Sequence, residues 1–238
     1  MAATNLIIKA GTKLPSLESH AGDYEQWMAQ ILNWDKNDYQ TVSVYLGETL
    51  PPVDKVKRVI ITGAGAMVTD DEPWINESAE WLATAAKTGI PILGICFGHQ
   101  LLAYALGARV GDNPRGVEVG SVPIQLTEQA SEDSLFQTLP KRFSANVSHM
   151  QSVLELPVGA RLLAYSEDEP VHAFAYGEQV WGIQFHPEFD AEIVKHYIRY
   201  YDPQLKAEGR DIKPLLAHAI DTPESCALLG IFAQIQGG

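Results

Sequence analysis

Pro91-Ile92-Leu93 runs into Gly94-Ile95-Cys96-Phe97-Gly98-His99-Gln100 and straight on into Leu101-Leu102-Ala103-Tyr104-Ala105-Leu106. That order predicts a short buried strand turning sharply into a helix, with Cys96 at the corner. Gly94 and Gly98 flank the cysteine symmetrically, and a strained strand-to-helix turn needs such small neighbours because any Cβ would collide with the reversed backbone. The turn also sets Cys96 at the amino end of a helix, where free N–H groups and the helix dipole favour a thiolate. Cysteine is also among the most buried residue types, so packing at a strand end is the alternative reading of Cys96.

The rest of the first half repeats this alternation. Leu6-Ile7-Ile8 predicts a strand, and Asp23 with Gln26 a capping box for a helix carrying Trp27, Ile31 and Trp34. Thr41–Leu46 alternates like a strand, and Val59-Ile60-Ile61 is a continuous apolar run expected to be covered on both faces. It ends at Gly63-Ala64-Gly65. Pro73 opens a helix with Ile75, Ala79, Leu82 and Ala86 on one side. Strand and helix in this order predict an α/β fold, an open, mostly parallel doubly wound sheet flanked by helices. Loops at the carboxyl ends of its strands would build the site.

Beyond about Gly111 the pattern shifts to strands at Val122–Leu126, Arg142–Val147 and Leu162–Tyr165. Val171–Tyr176 and Gln179–Phe185 flank Gly177-Glu178, which predicts a hairpin with a two-residue type II′ turn. An antiparallel region is therefore expected beside the parallel one. Asp190 caps a helix with Ile193, Val194, Tyr197 and Ile198, and Thr222-Pro223 starts a final one. No repeat or low-complexity segment is visible; polar Asp202–Lys213 is the weakest candidate for a linker. A single domain over residues 1–238 is expected, with a helical extension at about 214–236.

At 238 residues, 46% hydrophobic and 20% charged, the chain has the means to bury a large core. A net charge of −13 repels phosphate backbones and anionic lipid, which argues against nucleic-acid and membrane partners. No apolar run approaches the ~20 residues that span a bilayer, and the opening residues lack a secretory pattern. Two cysteines, Cys96 and Cys226, make neither a disulfide framework nor a thiolate metal site, and the seven histidines form no close pair at ligand spacing. The expectation is a reduced, cytoplasmic protein with no metal and no cofactor.

A thiol is a modest nucleophile at neutral pH and needs a base beside it. His186 suits: Pro187 holds it extended, and Glu188 can bind one ring nitrogen while the other faces the sulfur. The order is cysteine, histidine, acid, whereas the α/β-hydrolases place the acid before the histidine. A surface histidine before proline and a solvated glutamate are the plainer alternatives.

Three blocks in order, IITGAGAMV, GICFGHQLLAYALGARV and GIQFHPEF, resemble the class I glutamine amidotransferases, the ammonia-releasing units of enzymes such as GMP synthase. The resemblance runs from Val59 to about Tyr197, and the segment around Gly22–Glu25 and Trp27 looks like the stand-alone GMP synthase-like type. It implies that Cys96 attacks a γ-glutamyl amide to form a thioester, that His186 shuttles the proton and that Glu188 orients His186. Phe97 and Ala64 would supply oxyanion N–H groups. Gln100 matches a substrate-binding glutamine, and Ser148, His149 and Met150 fall where the family meets the amino-acid end of the substrate. Two departures stand out: GAGAM replaces a usual Gly-Gly-Pro, and Gln151 replaces an aspartate. No phosphate-binding loop is present, so any ammonia-accepting synthetase would be a separate partner. Alternatives are a γ-glutamyl peptidase and a regulatory or scaffold protein that keeps the fold.

Overall fold

Parallel strands buried on both faces need helices above and below them, and this requirement organises the first half of the chain. The computed structural model describes residues 3–237. β1 (Thr4–Lys9) leads through α1 (Tyr24–Ile31) to β2 (Tyr39–Ser43), and β3 (Val56–Ile61) leads through α2 (Pro73–Ala85) to β4 (Ile92–Ile95). α3 (Phe97–Ala105) follows at once, then β5 (Arg109–Asp112), β6 (Glu118–Leu126), β7 (Arg142–His149) and β8 (Gln151–Glu155). β9 (Ala160–Tyr165), β10 (Ala173–Tyr176) and β11 (Val180–Ile183) precede α4 (Ala191–Tyr200), α5 (Asp202–Ala207), α6 (Ile212–His218) and α7 (Pro223–Gln234).

Nine strands form one sheet in the order β2-β1-β3-β4-β11-β10-β9-β6-β7, while β5 and β8 pair as a separate antiparallel ribbon. β2, β1, β3, β4 and β11 are parallel; from β11 onward the pairing is antiparallel. The expected mostly parallel sheet with an added antiparallel region is thus what forms. Alternation assigns its faces. Val59 and Ile61 pack with Leu6, Ile8 and Ile92 under α2 and α3, whereas Ile60, Leu93 and Ile95 pack with Met28, Trp181 and Phe232 on the other side. Each such fully buried aliphatic side chain contributes about 1.5–3 kcal/mol.

The Asp23–Gln26 capping box is present. Several boundaries differ from expectation. α1 stops at Ile31, and Trp34 lies beyond it because Asn33 takes a left-handed backbone, φ 51°. β2 begins two residues before Thr41 and ends at Ser43; Val44–Leu46 forms a tight helical turn closed by Gly47 at φ 82°. Tyr176 stands opposite Val180, so the hairpin loop is Gly177-Glu178-Gln179 and not a two-residue turn, although Gly177 does take a positive φ of 58°. Polar Asp202–Lys213 is no linker: α5 and the start of α6 occupy it, Leu205 is fully buried, and Arg210 donates to the Val117 carbonyl at 2.6 Å. The short β5–β8 ribbon has no signature in the hydrophobic pattern. Among the described residues no helix is long and apolar enough to cross a membrane.

Candidate active site

β3, β4 and β11 are neighbours in the parallel part of the sheet, and the loops leaving their carboxyl ends carry Gly63, Cys96 and His186. Adjacent strands pointing the same way therefore deliver three distant segments to one place. Cys96 sits between β4 and α3 at φ 52°, ψ −105°, outside the regions that L-residues favour, a cost of roughly 1–3 kcal/mol. Its N–H donates to the Ile183 carbonyl at 2.8 Å, which ties the turn to β11. The glycines are sterically required. A Cβ on Gly94 would lie 2.3 Å from the Gly98 oxygen, and one on Gly98 would lie 2.6 Å from the Ile61 oxygen.

His186 follows β11, its N–H donating to the Asn146 carbonyl at 2.8 Å. Its Nδ1 is 2.7 Å from Oε1 of Glu188, and its ring stacks on Phe189 with centroids 3.9 Å apart. A Cβ on Gly63 would come within 2.8 Å of the imidazole Cε1, so the glycine loop leaves the space the ring occupies. Burial pulls the imidazole toward neutrality, but the Glu188 carboxylate and the Cys96 sulfur outweigh it and push the His186 pKa up to about 10. The raised value makes the sign of one pH effect definite. The stability that the charged ring draws from Glu188 is fully present below the free histidine value near ~6.5 and is lost as pH rises through about 10. In urea unfolding, the advantage of the wild type over Glu188→Gln is accordingly expected to shrink between pH 7 and 10; a constant gap would contradict a charged ring.

Cys96 and His186 line one cavity of about 430 Å³ together with Ala64, Gly65, Met67, Ser148 and Met150. Cys96 is buried, and its thiol donates to the Ser148 carbonyl at 3.5 Å. Phe97 is the first residue of α3, so its backbone N–H has no acceptor within the helix. Its side chain is buried against Trp74.

Two expected substrate contacts point elsewhere. Gln100 Nε2 donates to the Gln151 carbonyl at 2.6 Å and to Gln184 Oε1 at 3.0 Å, inside the protein. His149 turns its ring to Glu118 and to the Gln151 carbonyl. Neither residue lines the cavity, because buried acceptors on β6 and β8 hold both side chains behind it. Gln151 likewise donates to Thr69 and Asp112.

Aromatic residues complete the cavity. Tyr24, Tyr197, Tyr200 and Tyr201 line it, and the Tyr24 and Tyr197 hydroxyls lie 2.5 Å apart. Burial pushes the Tyr201 phenol up to about 12 and the Tyr24 and Tyr197 phenols upward as well, so all three stay protonated. The spacing of Tyr197, Tyr200 and Tyr201, three and four apart, places them on one side of a helix and was the available signal for this wall. Nothing local in the sequence connects Tyr24 to it. Among the described residues, no Asp, Glu, Lys or Arg lines the cavity.

The family described as glutamine amidotransferase class-I matches residues 26–199. A glutamine amidotransferase-like protein of Schizosaccharomyces pombe is 30% identical over 207 residues, 81% of this chain and 82% of its own length. γ-Glutamyl peptidase 5 of Arabidopsis thaliana is 34% identical over 60% of this chain and 57% of its own. A glutamine-hydrolysing GMP synthase subunit of Thermococcus kodakarensis is 33% identical over 65% of this chain and 81% of its own. A crystal structure of a glutamine amidotransferase from Thermotoga maritima shares the fold, with a TM-score of 0.74, 24% identity and coverage of 97% of this chain and 95% of that one.

Proposed function

The chain belongs to the class I glutamine amidotransferase family and is a cysteine-dependent enzyme of that type, and from this premise we propose that it hydrolyses a γ-glutamyl amide through a Cys96 thioester, releasing ammonia and glutamate when the substrate is glutamine. The observation that carries the reading is His186, hydrogen-bonded to Glu188, lining one cavity with a strained, glycine-flanked Cys96.

In this reading the sulfur attacks the γ-carbonyl carbon while the carbonyl oxygen takes up negative charge. The backbone N–H groups of Phe97 and Ala64 receive that oxyanion; they are fixed dipoles and need no side chain, which is why alanine serves at position 64. Collapse of the tetrahedral species breaks the C–N bond, and His186 gives its proton to the departing amine. A water molecule, deprotonated by the same imidazole, then attacks the thioester carbon, and glutamate leaves as the sulfur recovers its proton. Glu188 keeps Nδ1 protonated so that Nε2 serves the reaction. Glu188→Gln is expected to lower kcat by roughly 10²-fold or more with the fold retained; an unchanged kcat would remove Glu188 from the mechanism.

A second reading, a γ-glutamyl peptidase, is supported by the tyrosine wall: aromatic rings with no Asp, Glu, Lys or Arg among the described lining residues suit a leaving group larger than ammonia. Ammonia release from glutamine, compared with amino-acid release from γ-glutamyl dipeptides, separates the two. A higher kcat/KM for glutamine supports the first reading, and the reverse supports the second. If glutamine is the substrate, a separate synthetase is the partner proposed to take the ammonia. Turnover of no γ-glutamyl compound would leave the regulatory reading.

A further inference from the structure

Both ring nitrogens of His149 face oxygen acceptors inside the protein. Nδ1 lies 3.0 Å from the Gln151 carbonyl, which has no proton to give, and Nε2 lies 2.7 Å from Oε2 of Glu118. A neutral imidazole has one N–H and can satisfy only one of them. Glu118 in turn is surrounded by donors: the Ser166 hydroxyl donates to its other oxygen at 3.4 Å, and His172 Nε2 lies 3.5 Å away. These favour the ionised carboxylate, which leaves the second proton on His149.

We propose that His149 is a buried imidazolium, held charged by Glu118, whose positive charge behind the turn favours the thiolate of Cys96; it is a positioning residue and not a contact to substrate. This rests on Cys96 being the nucleophile. The sulfur lies beside the same strand end, since the carbonyl of Ser148, the residue before His149, accepts from the Cys96 thiol at 3.5 Å; that carbonyl favours the thiol, and the imidazolium acts against it. A mechanical link accompanies it: Gln100, on the helix that Cys96 begins, donates to the same Gln151 carbonyl as His149.

The remaining charged and titratable neighbours agree. Burial draws His149 toward neutrality, but Glu118, Glu169 and the Cys96 sulfur outweigh it, and its pKa is pushed up to about 9. Burial alone would raise the Glu118 carboxyl; the two histidines hold it well below the usual carboxylate range. Glu169 Oε2 stands 4.0 Å from Nδ1, while its carboxylate accepts from the Ser152 hydroxyl and the Val171 N–H. His99, deep against Phe174, is pushed down to about 3 by burial and stays neutral. Among the described residues no set of three His, Cys, Asp or Glu side chains is arranged to hold a metal ion, so the cluster of Glu118, His149, Glu169 and His172 reads as a charge network.

The test measures Cys96 alkylation by iodoacetamide against pH in the full chain, in a Cys226→Ala background that leaves one thiol. Glu118→Gln and His149→Gln are each expected to raise the midpoint by about one pH unit, a roughly tenfold slower reaction below it. An unmoved midpoint in folded variants overturns the proposal, because a purely structural role alters stability without moving thiolate titration. Should the variants fail to fold, the wild type still decides: with ¹⁵N-labelled histidine at pH 8, the His149 ring is expected to be doubly protonated, and a neutral His149 ring overturns the proposal. Alkylation needs no γ-glutamyl substrate, so a wrong substrate assignment leaves this result standing. Retained turnover in Cys96→Ala would instead strike the nucleophile assignment itself.

Discussion

Cys96→Ala is expected to lower the release of ammonia or amine by at least ~10⁴-fold while circular dichroism and the unfolding midpoint stay near those of the parent. Without sulfur there is no thioester, and the remaining route is direct attack by water on an amide, assisted only by oriented N–H groups and binding. The fold should survive because the turn is held by its backbone, through the Cys96 N–H donating to Ile183 and by the close approach of Gly94 to Gly98, and not by the thiol. Alanine meets the same positive φ as cysteine, so strain is nearly unchanged. Cys226→Ala, on α7 and outside the lining of the Cys96 cavity, should leave turnover intact. Appreciable residual turnover in Cys96→Ala would mean that a different nucleophile does the chemistry.

Gly94→Ala is expected to be strongly destabilising. The added Cβ would meet the Gly98 oxygen at 2.3 Å, the Gly98 carbonyl carbon at 2.6 Å and the His99 nitrogen at 2.9 Å, all backbone atoms of α3. None of them is the mobile end of a side chain. Relief requires the first turn of the helix to lift from β4, which would also displace the Phe97 N–H and the Gln100 bridge. A loss of about 3 kcal/mol or more follows, which for a chain of this size lowers the thermal midpoint by roughly 10 °C. Gly230→Ala is the matched control. Within α7 its added methyl group meets nothing within 4 Å, and the better helix propensity of alanine should raise stability by up to ~1 kcal/mol. Equal effects at the two positions would refute the steric account of the turn.

Much of this candidate site is legible in the sequence because its demands are local. Glycine on both sides of Cys96 records a backbone reversal, and Pro187 and Glu188 record how His186 must be held. The buried strands announced themselves by continuous apolar runs, and Asp23 and Gln26 announced a helix start that the structure contains. The boundary differences share one cause. Trp34, the reach of β2 and the length of the β10–β11 loop are boundary questions, settled by single residues entering left-handed or turn backbone where periodicity has little to say. The amphipathic pieces within Asp202–Lys213 were too short to stand out from their polar setting, yet Leu205 anchors them.

Residue type and order alone settled the class of fold, the triad candidates and the need for glycine at the turn, because sterics and hydrophobic period act between near neighbours. The direction of a polar side chain obeys no such rule. Gln100 and His149 look like substrate contacts by position, but Gln151, Gln184 and Glu118 outbid the cavity for their hydrogen bonds. Tyr24 reaches Tyr197 across 173 positions of chain. Those choices belong to the tertiary structure, since a buried donor goes to whichever acceptor the packed strands bring within about 3 Å, and only folding decides which one that is.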